Sequence, residues 1–227
     1  MSNSDGFIEE VTEELRREQM LAKLRKYGWI GVLVVLLIVG GAAFSEFRKA
    51  QTRAQAESLG DAIFAALENE DADGRVAALS AVETTAPEAA AVVALLTASE
   101  QVAAQDIEGA VENLGRVAQN GDVPEVYRQL AQFKALTLQA ETLPAAERKL
   151  GFEALTMGDG ALRLLAQEQL ALIAVQEGDT ALALSTYQTI LNDAAVTPDL
   201  QQRALQVIVA LGGEPDLTSG LLDESNG

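Results

Sequence analysis

One long apolar run stands near the start of the chain. Residues 28–44 contain no charged group, and nineteen positions separate Lys26 from Glu46. At about 1.5 Å of rise per helical residue these positions reach roughly 28 Å, close to the thickness of a bilayer's hydrocarbon core. A buried core helix would show a polar side, and a cleaved secretory signal would have a shorter apolar part. The pattern therefore predicts a transmembrane helix over residues 27–45.

Five residues of this span are candidates for anchoring it or for packing it against another helix. Aromatic rings at the start of a span favour the headgroup region, and small residues let a second helix approach. The two aromatic candidates are Tyr27 and Trp29, and the three small ones are Gly40, Gly41 and Ser45.

Basic residues flank the span unequally. Five lie within residues 16–26 and three within residues 48–53. Because the flank richer in lysine and arginine stays in the cytoplasm, we expect a cytoplasmic N-terminus and a translocated C-terminal part.

The rest of the chain shows helical periodicity and no alternation with period two. Apolar residues recur every three or four positions, and glycine or proline marks the breaks. We expect an all-α chain with roughly eight helices of about 10 to 18 residues after the span. The predicted parts are an amphipathic cytoplasmic segment (1–26), the transmembrane helix (27–45), a stalk helix (46–70), a helical domain (71–212) and a flexible acidic tail (213–227).

Charge and composition exclude several classes of function. The formal net charge is −18, and the residues after position 26 carry 28 acidic and 11 basic side chains. Such a surface repels nucleic acid. The chain has no histidine and no cysteine, which excludes imidazole bases, thiolate nucleophiles and zinc fingers. We therefore predict a protein that is not an enzyme and that uses no cofactor, metal or small-molecule substrate.

One stretch imitates the start of a calcium-binding loop. Residues 69–76 place oxygen-bearing side chains at loop positions 1, 3 and 5, glycine at 6 and valine at 8. Position 12, where a bidentate glutamate belongs, is Ser80. The alternative needs no ion, because Asp73 would cap a helix that begins near Arg75. We favour the helix cap.

Two segments share an order of small and large residues at a spacing of 73. The segments are 94–124 and 167–198, and the matching packing positions are Ala98, Ala110 and Leu114 in the first and Ala171, Ala183 and Tyr187 in the second. The order resembles tetratricopeptide repeats, in which small residues let paired helices pack closely, although the first-helix tryptophan and tyrosine of that family are absent. An irregular helical bundle is the alternative.

The order of these parts sharpens the resemblance. FIEEVTEELRREQ, LRKYGWIGV, the apolar span, SEFRKAQ and an acidic repeat-like domain together resemble the bacterial family of ancillary SecYEG translocon subunits. The resemblance implies a single-span inner-membrane protein whose C-terminal domain is periplasmic. It also implies a scaffold for newly exported proteins, with SecYEG and a periplasmic chaperone as partners. The same architecture suits an accessory or assembly subunit of another large inner-membrane complex, such as a respiratory complex.

Overall fold

The computed structural model describes residues 4–158, 160 and 162–216, and within the first helix it describes the side chains of Leu33 and residues 36–67 only. This described part is helical throughout and contains no strand, which confirms the predicted all-α class. The helices are α1 (Ser4–Leu67), α2 (Ala72–Ser80), α3 (Pro87–Ala103), α4 (Ile107–Gln119), α5 (Glu125–Leu138), α6 (Ala145–Thr156), α7 (Arg163–Gln176), α8 (Thr180–Leu191) and α9 (Pro198–Ala210).

Helix α1 runs without a break from Ser4 to Leu67, across the predicted span and most of the predicted stalk, whose last three residues (68–70) lie beyond the helix. Backbone contacts divide the chain into two compact units, the first ending at Gly60 and the second beginning at Asp61. Among the described residues no helix is both long and apolar enough to cross a membrane. Residues 27–32, 34 and 35 of the predicted span lie outside the described side chains.

In the second unit the helices pack in the order of the sequence. Each helix from α2 to α8 contacts the next one along the chain, and α3 also contacts α5. The apolar side chains form three local clusters, which lie on α3–α5, on α5–α7 and on α7–α9. The domain therefore has a series of linked small cores in which each helix is stabilised by its sequence neighbours.

Two groups of three helices repeat the same local geometry 73 residues apart. We call α3, α4 and α5 the first triplet, and α7, α8 and α9 the second triplet. The turn between their first two helices contains a residue with positive φ, Gln105 (65°) in one and Gly178 (80°) in the other. The next residue, Asp106 or Asp179, caps the following helix by accepting a 3.0 Å hydrogen bond from the backbone N–H three positions later.

The correspondence extends to the second turn and to the cores. The side chain of Asn120 accepts a hydrogen bond from the N–H of Asp122, and Asp193 accepts the equivalent bond from Ala195. Five positions separated by 73 residues belong to the buried clusters of both triplets. These pairs are Ala91 and Leu164, Ala98 and Ala171, Leu114 and Tyr187, Val117 and Ile190, and Ala131 and Ala204.

The start of α2 differs from the sequence prediction. The helix begins at Ala72 and its cap is Asp71, whose Oδ1 accepts a 2.6 Å hydrogen bond from the N–H of Gly74. The prediction that Asp73 caps this helix is wrong by two residues. Arg75 fixes the earlier start, because its guanidinium donates to the backbone carbonyls of Asn69 and Glu70 and so holds the chain that enters the helix.

The positive φ at equivalent turns leads to a test by substitution. Replacing Gly178 with alanine should lower the free energy of unfolding by about 1 kcal/mol, because a Cβ is strained in the left-handed region. Replacing Gln105 with glycine should raise the free energy of unfolding by less than about 1 kcal/mol. Glycine relieves the strain in the folded state but also increases the conformational entropy of the unfolded chain, which offsets part of the gain. Urea unfolding of the full chain, followed by circular dichroism, measures both changes.

Gly121→Ala is the matched control. Gly121 lies outside the left-handed region, and a Cβ added to it meets no atom within 4 Å. Its replacement should change stability by less than about 0.5 kcal/mol. Equal effects at Gly121 and Gly178 would contradict the assigned turn geometry.

Candidate interaction surface

The first triplet contains a groove between its three helices, which we call the α3–α5 groove. Its volume is about 270 Å³. Eight side chains line it, from α3 (Ala98, Ser99 and Val102), α4 (Leu114) and α5 (Phe133, Lys134, Thr137 and Leu138). The groove therefore lies where the first and third helices of this triplet, α3 and α5, meet its middle helix, α4.

The lining is apolar apart from one cation. The hydroxyls of Ser99 and Thr137 donate to the backbone carbonyls of Leu95 and Phe133 on their own helices, so both are already satisfied. Lys134 is partly buried, and within the described residues its ammonium group forms no hydrogen bond or ion pair. The groove thus combines apolar walls with one positive charge that has no partner among the described residues.

One wall of the groove is held from behind by the next helix. The ring of Phe133 packs edge-on against the fully buried ring of Phe152 on α6, with 5.7 Å between the ring centroids. Gly151 lets α6 approach α5, because a Cβ at that position would lie 2.6 Å from a methyl carbon of Leu136. This packing fixes the orientation of α5, and with it the position of Lys134 at the rim.

The second triplet has different side chains at the equivalent positions. Leu114 corresponds to Tyr187, whose larger side chain is fully buried, and Lys134 corresponds to Val207. Val207 packs against the apolar cluster that contains Tyr187. The features that make the α3–α5 groove roomy and cationic are therefore specific to the first triplet.

An ion pair links α7 and α9 in the second triplet, beside the buried Tyr187 of α8. Arg203 on α9 donates two 2.8 Å hydrogen bonds to the carboxylate of Glu168 on α7. The side chain of Glu168 is 10% exposed and that of Arg203 is 46% exposed. The Tyr187 hydroxyl is buried without a hydrogen-bond partner among the described residues. Burial, with a smaller contribution from the charge of Glu168, raises the pKa of Tyr187 to about 12.

The first triplet has leucine at all three equivalent positions. Leu95, Leu114 and Leu130 correspond to Glu168, Tyr187 and Arg203. The same helical framework thus accepts an apolar trio in one triplet and an ion pair beside a tyrosine in the other. The chemistry of these three positions therefore differs between the triplets.

The residues that the sequence singled out as repeat packing positions are all buried. Ala110, Ala171, Ala183 and Tyr187 have no exposed surface, and Ala98 and Leu114 are exposed by 2% or less. Among the membrane candidates, Ser45 is exposed, and a Cβ added at Gly40 or Gly41 would meet no atom within 4 Å. Tyr27 and Trp29 lie outside the described side chains.

The calcium-like stretch is occupied by protein groups. The side chain of Asn69 donates to the carbonyl of Ala66, and the guanidinium of Arg75 lies against the carbonyls of Asn69 and Glu70. Arg75 also forms a 2.5 Å ion pair with Glu100 on α3. Within the described residues no group of three or more acidic side chains could hold a metal ion.

Sequence reasoning missed Lys134, Phe133 and the pair of Glu168 with Arg203. The signal for the pair was present in the 73-residue spacing, because aligning the two segments places Glu168 and Arg203 opposite leucines. The groove left no such signal, since it depends on how side chains from three helices leave space between them.

Comparison of the chain with protein-family models, with curated proteins and with solved structures finds no match. The fold and the groove therefore have to be interpreted from the chain's own residues.

The buried ion pair leads to a test by paired substitutions. Arg203→Leu alone should lower the free energy of unfolding by about 2 kcal/mol or more, because it leaves the Glu168 carboxylate buried without its partner. Adding Glu168→Leu should recover most of that loss, since the pair then matches the leucines of the first triplet. Urea unfolding of the full chain measures both values.

Lys149→Leu is the control for loss of a cation from this domain. Lys149 pairs with Glu177, but both side chains are about one third or more exposed, so its loss should cost less than about 1 kcal/mol. If Arg203→Leu were as mild as Lys149→Leu, or the double variant as unstable as Arg203→Leu, the assigned role of the pair would be wrong.

Proposed function

We propose that the protein is a membrane-anchored scaffold that binds other proteins through its periplasmic helical domain. In this proposal residues 27–45 span the inner membrane, residues 1–26 are cytoplasmic and the helical domain lies in the periplasm. The protein is not an enzyme, and its role is accessory to the Sec translocon and to periplasmic chaperones. The observation that supports binding most directly is the α3–α5 groove, whose Lys134 has no ion pair among the residues that the structure describes.

The exposed side chains of α1 support the membrane anchor. Four consecutive residues, Leu36 to Val39, are large, apolar and between 58% and 67% exposed. Consecutive residues of a helix point in directions about 100° apart, so these four cover its circumference. An apolar surface on all sides of a helix requires an apolar environment.

The basic residues that follow this apolar run support a membrane boundary at its C-terminal end. Arg48 lies 5.7 Å from the ring centroid of Phe44, and Lys49 and Arg53 lie within the next two turns. Such residues favour the headgroup region, where an aromatic ring and a cation are both stable.

The spacing of buried alanines supports a tetratricopeptide-like domain. Ala98, Ala131, Ala171 and Ala204 lie on α3, α5, α7 and α9, and each has at most 2% of its surface exposed. They are 33, 40 and 33 residues apart. Two intervals are close to the 34-residue period of that family, and the third, which contains α6, is seven residues longer than the other two. Helical repeats of this kind bind peptides and protein surfaces.

The translocon is proposed as the partner on the family resemblance of residues 7–49 and on the order of the parts. A respiratory or other inner-membrane complex would suit the same anchor and domain. Tethering to the bilayer raises the effective concentration of the domain near either complex, so binding that is weak in solution suffices.

Purification in mild detergent tests this proposal. A tag placed after Gly227 should recover translocon subunits and a periplasmic chaperone at stoichiometric levels from native membranes. Recovery of a respiratory complex without translocon subunits would reject the export role and leave the scaffold intact.

A matched control replaces residues 1–45 with an unrelated single-span anchor. If the domain carries the recognition, this variant should keep the same partners, whereas loss of all partners would assign recognition to the anchor. Protease added to spheroplasts should reach the tag, and a tag accessible only after permeabilisation would invert the orientation.

A further inference from the structure

We propose that the α3–α5 groove binds a peptide segment of a partner protein in which apolar side chains flank an acidic residue. The apolar side chains would lie against Val102, Phe133 and Leu138, and the carboxylate would bind the ammonium group of Lys134. The inference rests on the proposed scaffold function, because it names the chemistry of the partner segment.

The size of the groove favours side chains of a docked segment over a free small molecule. Its volume of about 270 Å³ lies just below the range of roughly 300 to 1,000 Å³ that holds drug-sized ligands and cofactors. The walls come from helices, and the described residues of the domain contain no strand edge to which a peptide could add. An apolar segment lying in a groove between helices is a common form of peptide recognition.

Charge complementarity selects an acidic residue within that segment. Lys134 is partly buried and has no ion pair or hydrogen bond among the described residues. Most other cations of this domain are already paired, including Arg75, Lys149, Arg163 and Arg203. A carboxylate from a partner would accept a charge-assisted hydrogen bond from Lys134. Such bonds are stronger where the groove walls exclude part of the solvent.

The second triplet supports the assignment by contrast. At the equivalent positions it has Tyr187 in place of Leu114 and Val207 in place of Lys134, and both side chains pack into its own cluster. The same arrangement of helices can therefore hold a larger and an uncharged side chain, Tyr187 and Val207, at the positions of Leu114 and Lys134. The first triplet instead has the smaller Leu114 and the cationic Lys134 at these positions, and both line the groove.

Matched peptides test this proposal on the full chain in lipid nanodiscs, with empty nanodiscs as the blank. The probes are fluorescent octapeptides with a central aspartate between leucine and phenylalanine residues, the same peptides with asparagine, and the same peptides with serine at the apolar positions. The aspartate peptides should bind about tenfold more tightly than the asparagine peptides, since one charge-assisted bond is lost. The serine peptides should not bind.

Variants taken from the second triplet locate the site. Lys134→Val should reduce the affinity for the aspartate peptides to that of the asparagine peptides, and Leu114→Tyr should abolish binding of both. Arg128→Gln is the control, because it removes a cation of α5 that does not line the groove. It should leave binding unchanged. Circular dichroism should show that all three variants keep the wild-type helix content.

Equal binding of aspartate and asparagine peptides, no effect of Lys134→Val, or no binding of any peptide would overturn the inference. Cross-linking from Thr137 at the rim checks the occupant in native membranes. Cross-links to a second copy of this chain or to its own residues 217–227 would also overturn it. These outcomes are separate from the proposed function, because partners recovered from native membranes would remain bound through another surface.

Discussion

The second unit of this protein depends on close approach between successive helices at buried alanines. Ala98 and Ala110 in the first triplet, and Ala171 and Ala183 in the second, have almost no exposed surface. A side chain this small lets two helix backbones approach, and neighbouring apolar residues then fill the contact. Each helix is stabilised by its neighbours in the sequence, so a series of local clusters, and not one central core, holds the described helices of the domain together.

The all-α class, the succession of helices and the small packing residues could be predicted from periodicity alone. The cap of α2 could not. Asp71 and Asp73 are both good caps in sequence, and the choice depends on Arg75, which holds the preceding carbonyls. The groove could not be predicted either, because its volume depends on the sizes of side chains from three helices. Lys134 is notable because it lines the groove without a partner among the described residues, and residue spacing gives no sign of this.

The comparison of the triplets shows how one framework can be specialised. Where the first triplet has Leu95, Leu114 and Leu130, the second has Glu168, Tyr187 and Arg203. An ion pair with a nearly buried carboxylate contributes less to stability than its short distances suggest, because both charges lose hydration. It links α9 to α7 through two hydrogen bonds. The first triplet instead has an apolar groove and, at its lining, a cation without a partner in the described part of the chain.

Equivalent geometry in the two triplets is the central structural claim, and dipolar electron paramagnetic resonance tests it directly. The chain has no cysteine, so cysteines for spin labelling can be introduced in pairs with no native cysteine to remove first. One pair of labels replaces Ser99 and Thr137, and the other replaces Leu172 and Ala210. All four positions are exposed, and each position of the second pair lies 73 residues after its equivalent in the first. The two distance distributions should coincide. Distributions with clearly different mean distances would contradict the repeat.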